Sequence, residues 1–234
     1  DSRNLGASPS QFRVISTPCV SVVRPVKPPR PQAHVPSWEI AGQFNSAANP
    51  FEVWSYGYKD AADCTGPFVK FTNAFSRTWS GQNFQGWRRG PNGNDNVSLP
   101  EVAQSTSSTV TSPLLLSPKG LTMHPGPQGQ CAVVRFTAPD TGTYELHGRF
   151  WAQNDSGGGT NTTTMVVKTP FGGSVFGVLD SGNVTRPGTP SNNPFHLSSV
   201  GLNVGDTVDF MVGANGSFYS DSTGLHGYIE RITP

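Results

Sequence analysis

The sequence predicts an all-β fold, a jelly-roll-like antiparallel β-sandwich with an extended Pro-rich N-terminal arm. Three observations lead there. Charged residues make up 13% of the 234-residue chain, about half the usual share of ~25%, which excludes a coiled coil or a highly charged disordered chain. The 27 glycines and 21 prolines form about a fifth of the chain against a usual ~12%. Between these turn residues lie short alternating apolar segments spaced by roughly ten residues, the pattern of a sandwich or barrel. No segment reads as an amphipathic helix.

Residues 1–36 form the first unit, an arm with prolines at positions 9, 18, 25, 28, 29, 31 and 36. Proline removes a backbone donor and fixes φ, so this spacing excludes a helix and favours extended or polyproline II backbone. Two stretches, 11–16 and 20–23, have strand character, with Phe12, Val14, Val20 and Val22 at alternate positions. The arm is also basic. Arg3, Arg13, Arg24, Lys27 and Arg30 face only Asp1 over residues 1–35, a balance of +4 in a chain whose net charge is +1.

The second unit, 37–234, is the sandwich. Residues 54–58 give an aromatic alternation, Trp54, Tyr56 and Tyr58 on one face, that suits a core. Short strands follow at 68–71 and 132–136, the latter leading through the turn 138–142 into 143–150. There Tyr144, Leu146 and Phe150 share one face. Further strands are expected at 163–168, 174–179, 206–212 and 225–232. In 206–212, Val208, Phe210 and Val212 point inward, and Thr207, Asp209 and Met211 outward.

The near-neutral charge argues against nucleic acid as a partner, because phosphate binding needs a concentrated basic surface. No apolar run approaches the ~20 residues needed to span a bilayer. The chain opens at Asp1 rather than Met, as expected of a processed, exported protein. Sequons at Asn96, Asn154, Asn161, Asn183 and Asn215 mark exposed loops. Of the three cysteines, Cys64 and Cys131 both lie in the globular part and are expected to pair, leaving Cys19 in the arm. Their spacings fit no zinc or thioredoxin pattern.

The blocks "LTMHPGPQGQCAVVRFTAPDTGTYELHGRF" (121–150) and "LNVGDTVDFMVGANGSFYSDSTGLHGYI" (202–229), with "WSYGY" (54–58), Trp87 and Asn96 upstream, carry a family resemblance. The chain resembles, over roughly residues 38–232, a β-sandwich module of exported bacterial surface and matrix proteins, frequent in planctomycetes and in proteins with a PEP-CTERM sorting signal. The resemblance implies a jelly-roll or carbohydrate-binding-module-like fold tied to cell surfaces and exopolysaccharide.

Candidate chemistry is sparse. Flat aromatic faces stack on sugar rings while amides and carboxylates take the hydroxyls. Trp79 and Trp87 in the stretch 79–96, Asn96, and Tyr219 and Asp221 in the loop 215–222 are therefore candidate glycan contacts. His147 and His226 lie at outward positions on separate strands, with Glu145, Arg149, Tyr228 and Glu230 close in sequence; they read as solvated sheet-face residues, and would bind a transition metal only if the strands were adjacent. His124 belongs to a turn. Asp206, Asp209 and Asp221 follow no EF-hand spacing, and calcium held by dispersed loops is the alternative to no cofactor. No Gly-x-Ser-x-Gly elbow, His-Glu-x-x-His, Walker loop or dinucleotide fingerprint occurs, so no enzymatic activity is expected.

Two functions are consistent with these residues. The first is a non-catalytic extracellular structural subunit, assembling through an arm that docks on a neighbouring copy by strand addition. Phe12, Val14, Val20 and Val22 would fill pockets there and Cys19 would lock the contact. The alternative is a secreted module that recognises polysaccharide through loop aromatics.

Overall fold

The computed structural model describes residues 35–233 apart from 80, 92–94, 109–118, 155–157, 174–176 and 187–190. The chain divides between His34 and Val35, and the arm residues Phe12, Val14, Cys19, Val20 and Val22 lie outside the described residues, as does the side chain of Asn96.

In chain order the strands are β1 (Ser37–Glu39), β2 (Trp54–Lys59), β3 (Val69–Lys70), β4 (Asn73–Trp79) and β5 (Gln82–Arg88). A single helical turn, α1 (Asp95–Ser98), precedes β6 (Glu101–Ser105), β7 (Leu121–His124), β8 (Cys131–Thr137) and β9 (Gly142–Ala152). The chain closes with β10 (Asn161–Thr169), β11 (Gly177–Thr185), β12 (Asn192–Leu202), β13 (Thr207–Ala214) and β14 (Thr223–Thr233). They form an eight-stranded sheet, β12-β9-β14-β7-β6-β5-β4 with β1 beside β14, and a six-stranded sheet, β11-β10-β13-β8-β2-β3. Each pairing is antiparallel. The molecule is a jelly-roll-like antiparallel β-sandwich.

Period-two alternation builds the core. Tyr144, Leu146 and Phe150 on β9 are completely buried and meet Val208, Phe210 and Val212 of β13 within one cluster. The inward position between Leu146 and Phe150 is Gly148. A Cβ there would come within 2.3 Å of the Phe195 ring on the paired strand, so the glycine makes room for an aromatic from β12. Trp54 and Tyr56 are also fully buried, as their shared face on β2 led us to expect. The Trp38 ring reaches in from β1 to lie 5.3 Å from Phe136.

The smaller sheet departs from the sequence reading. Asp209 and Met211, expected to face outward into solvent, do face away from the main core, yet they are 0% and 1% exposed. The reason is a second layer. The β2–β3 connection, residues 60–68, folds over this outer face. It brings Phe68 against a small apolar cluster of Cys64, Cys131, Val133, Val167 and Met211, on which Met165 of β10 also packs. The Cys64–Cys131 disulfide, with Cα atoms 5.5 Å apart, ties that cover to β8. Gly57 permits it, since a Cβ at this position would collide with the Phe68 ring and Val69 O.

Beneath the cover sits an ion cluster. Arg135 donates twice to Asp209, at 2.7 and 2.8 Å, and Lys59 Nζ lies 3.1 Å from the same carboxylate. The Arg135 guanidinium also rests 4.0 Å from the centre of the Phe68 ring, a cation–π contact that shields the pair from water. Asp209 is thus the shared counter-charge of two cations under an aromatic lid.

Two further differences concern strand placement. Of the strand expected at 174–179, residues 177–179 lie in β11, which continues to Thr185; its polar run Asp180-Ser181-Gly182-Asn183 hides the pairing with β10. The stretch 79–96, read as loop, contains β5.

Removing the Asp209 carboxylate would leave two cations without their buried partner, an arrangement that costs about 3–5 kcal/mol. Asp209→Ala should lower the free energy of unfolding by about that amount in urea titration, and Asp209→Asn by somewhat less.

Candidate functional site

At one end of the sandwich, the ends of β4, β7 and β9 and the β13–β14 connection surround a cleft of about 420 Å³. Its aromatic walls come from two directions. Trp79, the last residue of β4, is 40% exposed, and Tyr219 is 69% exposed. Phe218 stacks beside Tyr219 with ring centres 4.2 Å apart and meets the His124 ring edge-on at 6.5 Å. Polar groups fill the remaining wall, chiefly Arg77, Asn154, Ser220 and Ser222.

Local structure explains these positions. Arg77 and Trp79 lie two apart on β4 and so share a face. The Arg77 guanidinium is held by an ion pair with the buried Glu101 and by two nearby rings, 5.5 Å from Phe75 and 5.9 Å from Phe84. On the opposite wall, the Asn161 backbone N–H donates to Asp221 Oδ1 at 2.8 Å and Thr160 Oγ1 donates to Ser222 O at 2.9 Å. These bonds anchor the connection that displays Phe218 and Tyr219.

The cleft therefore unites two of the candidate glycan contacts, Trp79 and Tyr219, and excludes others. Trp87 is only 8% exposed. It belongs to the core cluster and donates its indole N–H to Asn45 O at 2.8 Å. β5 places it opposite Val102 on the inward face, so its expected loop role is corrected. Asp221 is fully buried, not at the loop surface. Arg77, His124 and Asn154 were not recognised as cleft residues; alternation with Trp79 along β4 was the one signal for Arg77.

Burial pushes the Asp221 carboxyl up to about 7, against the opposing pull of the Asn161 N–H. Its Oδ2 is buried without a hydrogen-bond partner among the described residues. The other two acids considered for calcium point at donors. Asp206 accepts from the Phe171 and Asn203 N–H groups at 2.9 and 3.0 Å, and Asp209 is held by Arg135 and Lys59.

A second polar group lies on the outer face of the larger sheet. β9 does neighbour β14, but register sets His147 across from Tyr228 and His226 across from Arg149. His226 lies 3.8 Å from Glu39. The cross-strand partner of His147 is His196 on β12, a residue the sequence reading passed over. Both histidines hydrogen-bond Glu145, which hydrogen bonds from His196 and His147 hold below the usual carboxylate range.

No protein-family model matches the sequence, and no curated protein matches it. Among solved structures, the chain is similar to the enzymatically active domain of tailspike protein 4 of bacteriophage CBA120. That likeness has 14% identity and a TM-score of 0.30, covering 77% of this chain. The chain spans only 20% of the tailspike's length. It is also similar to murine APRIL, at 13% identity and a TM-score of 0.28, over 76% of this chain and 98% of that one. No helix among the described residues is long and apolar enough to cross a membrane.

The raised Asp221 carboxyl gives a signed prediction. Between about pH 4 and pH 7 the folded protein keeps a proton that the unfolded chain has released, so stability falls as pH rises through this window. It levels off above about pH 7. Asn in its place stays neutral and still accepts from Asn161. Asp221→Asn should therefore match wild type near pH 4 and melt higher at pH 8, on the order of 5 °C. Parallel melting-temperature profiles for the two proteins would contradict this.

Proposed function

We propose that this protein is a secreted, non-catalytic module that binds polysaccharide in the cleft between Trp79 and Tyr219. The observation that carries the reading is the convergence of these two exposed rings on one concave site with Arg77, Asn154, Ser220 and Ser222. Single exposed aromatics are common on protein surfaces, but several gathered in one concave patch mark a recognition site. A pyranose offers an apolar face to a ring and hydroxyls around its edge. Such a ligand fits aromatic walls with hydroxyl, amide and guanidinium groups between them. The Cys64–Cys131 disulfide suits an oxidising compartment outside the cell, and the resemblance to exported bacterial surface modules supports the same reading.

Assembly through the N-terminal arm is a second reading, favoured by a specific observation. Among the described residues β11 pairs with β10 alone, and its side chains are largely exposed, Val178 by 54%. Such an edge presents unpaired N–H and C=O groups to an incoming strand. The arm's Phe12, Val14, Val20 and Val22 supply a strand-like alternation. Deleting residues 1–34 should then leave a folded monomer in light scattering, where the full chain forms larger species.

The cleft reading is tested by affinity electrophoresis of the full chain through gels containing a panel of polysaccharides. Trp79→Ala and Tyr219→Ala should each reduce retardation at least tenfold with no change in melting temperature. Trp87→Ala should instead destabilise the fold by about 3–5 kcal/mol, as loss of a buried tryptophan does. Equal retardation of both cleft variants and wild type would contradict the proposal, as would no retardation by any polysaccharide.

A further inference from the structure

The outer face of the larger sheet carries an arrangement distinct from the cleft. Along β9 the outward positions are Glu145, His147 and Arg149. His147 is directly across from His196 on one neighbouring strand and from Tyr228 on the other. The His147 and His196 rings stack with centres 3.9 Å apart and planes 25° from parallel. Tyr228 covers the other face of His147 at 5.0 Å. This ladder of three rings holds the two imidazoles side by side. It also directs both Nε2 atoms at one atom, Glu145 Oε1, at 2.7 and 2.8 Å. The three side chains remain 30%, 58% and 26% exposed for His147, His196 and Glu145.

We infer that Glu145, His147 and His196 form a binding site for a late first-row divalent cation, of which zinc is the representative. Their donor atoms all lie within 4.8 Å of one another. Zinc bonds of 2.0–2.1 Å in tetrahedral geometry set ligand atoms about 3.3 Å apart. Each nitrogen–oxygen pair therefore separates by about half an ångström, and the two imidazoles, stacked side by side on the open face, swing out of that stack so that both Nε2 lone pairs point at the ion. Each neutral imidazole moves its proton from Nε2 to Nδ1, freeing the Nε2 lone pair for the metal, and Glu145 passes from hydrogen-bond acceptor to ligand. Water occupies the open position on the solvent side.

The donor set selects the ion. Two imidazoles and one carboxylate suit zinc, copper or nickel, whereas calcium and magnesium demand oxygen-rich shells. The surrounding charge agrees. Glu230 is directly across from Glu145 and adds a second carboxylate to this face. The cation Arg149 packs on the Trp151 ring at 5.5 Å, on the side away from His147.

The test uses the untagged full chain, stripped of metal by chelator, titrated with zinc by calorimetry and with cobalt by visible absorption. We expect saturable binding of a single ion, a cobalt d–d band, and a rise in melting temperature with zinc. His147→Ala and His196→Ala should each weaken binding at least tenfold and abolish the band. His226→Ala, on the same face but outside the cluster, should leave both unchanged. His196 and His226 are more than half exposed, so the metal-free melting temperatures of their variants should match wild type, whereas His147→Ala, which removes a ring stacked between two others, is compared with its own metal-free baseline. No saturable binding by wild type would overturn the inference, because Glu145 would then be only the hydrogen-bond partner of two histidines. Binding that survives in both His147→Ala and His196→Ala would also overturn it, by placing the ion elsewhere.

Discussion

Along β9, successive side chains alternate between the two faces of the larger sheet, and the rest of the molecule is arranged around that alternation. Tyr144, Leu146 and Phe150 point inward and are fully buried, where they meet the inward side chains of β13. Glu145, His147 and Arg149 take the other face, paired in register with β12 and β14. A one-residue slip would exchange these sets, burying a carboxylate and an imidazole and exposing three large apolar side chains. The core thereby fixes the register that brings Glu145, His147 and His196 together. The end of the same strand leads to Asn154 at the cleft.

The smaller sheet meets a different constraint. Its outer face carries Asp209, Cys131 and Met211, which the connection 60–68 covers. A buried carboxylate that stays ionised needs counter-charge, and Arg135 and Lys59 provide it for Asp209 from β8 and β2. The disulfide holds the cover to the strand below it. The outer faces of the two sheets thus differ in kind. One is sealed by a cross-linked layer, and the other leaves a set of titratable side chains in contact with solvent.

The long strands β9, β13 and β14 were legible in the sequence, because large apolar residues recur at period two along them, interrupted by Gly148 in β9 and Gly227 in β14. So was the pairing of Cys64 with Cys131. Strands β4, β5, β6 and β12 were not, and the reason is physical. In β12 the residues Asn192, Asn193 and Pro194 give no apolar period, and pairing with β9 decides the conformation. Trp87 looked like a loop residue because glycine, asparagine and arginine surround it, yet β5 turns it into the core. Of the cleft, the aromatics Trp79 and Tyr219 were visible as residue types. Their convergence was not, since it joins a strand end near residue 79 to a connection near residue 219. His196 was missed for the same reason, its partner lying 49 positions earlier in the chain.

If sugar binds between Trp79 and Tyr219, the tryptophan indole N–H resonances read it directly. The five tryptophans occupy separate environments, with Trp54 and Trp87 in the core and Trp79 alone in the cleft. Nuclear magnetic resonance of the labelled chain, titrated with oligosaccharides from a retained polysaccharide, should move the Trp79 signal saturably while those of Trp54 and Trp87 stay fixed. Saturable movement of the Trp151 signal with Trp79 unchanged would place recognition on the outer sheet face and contradict the account.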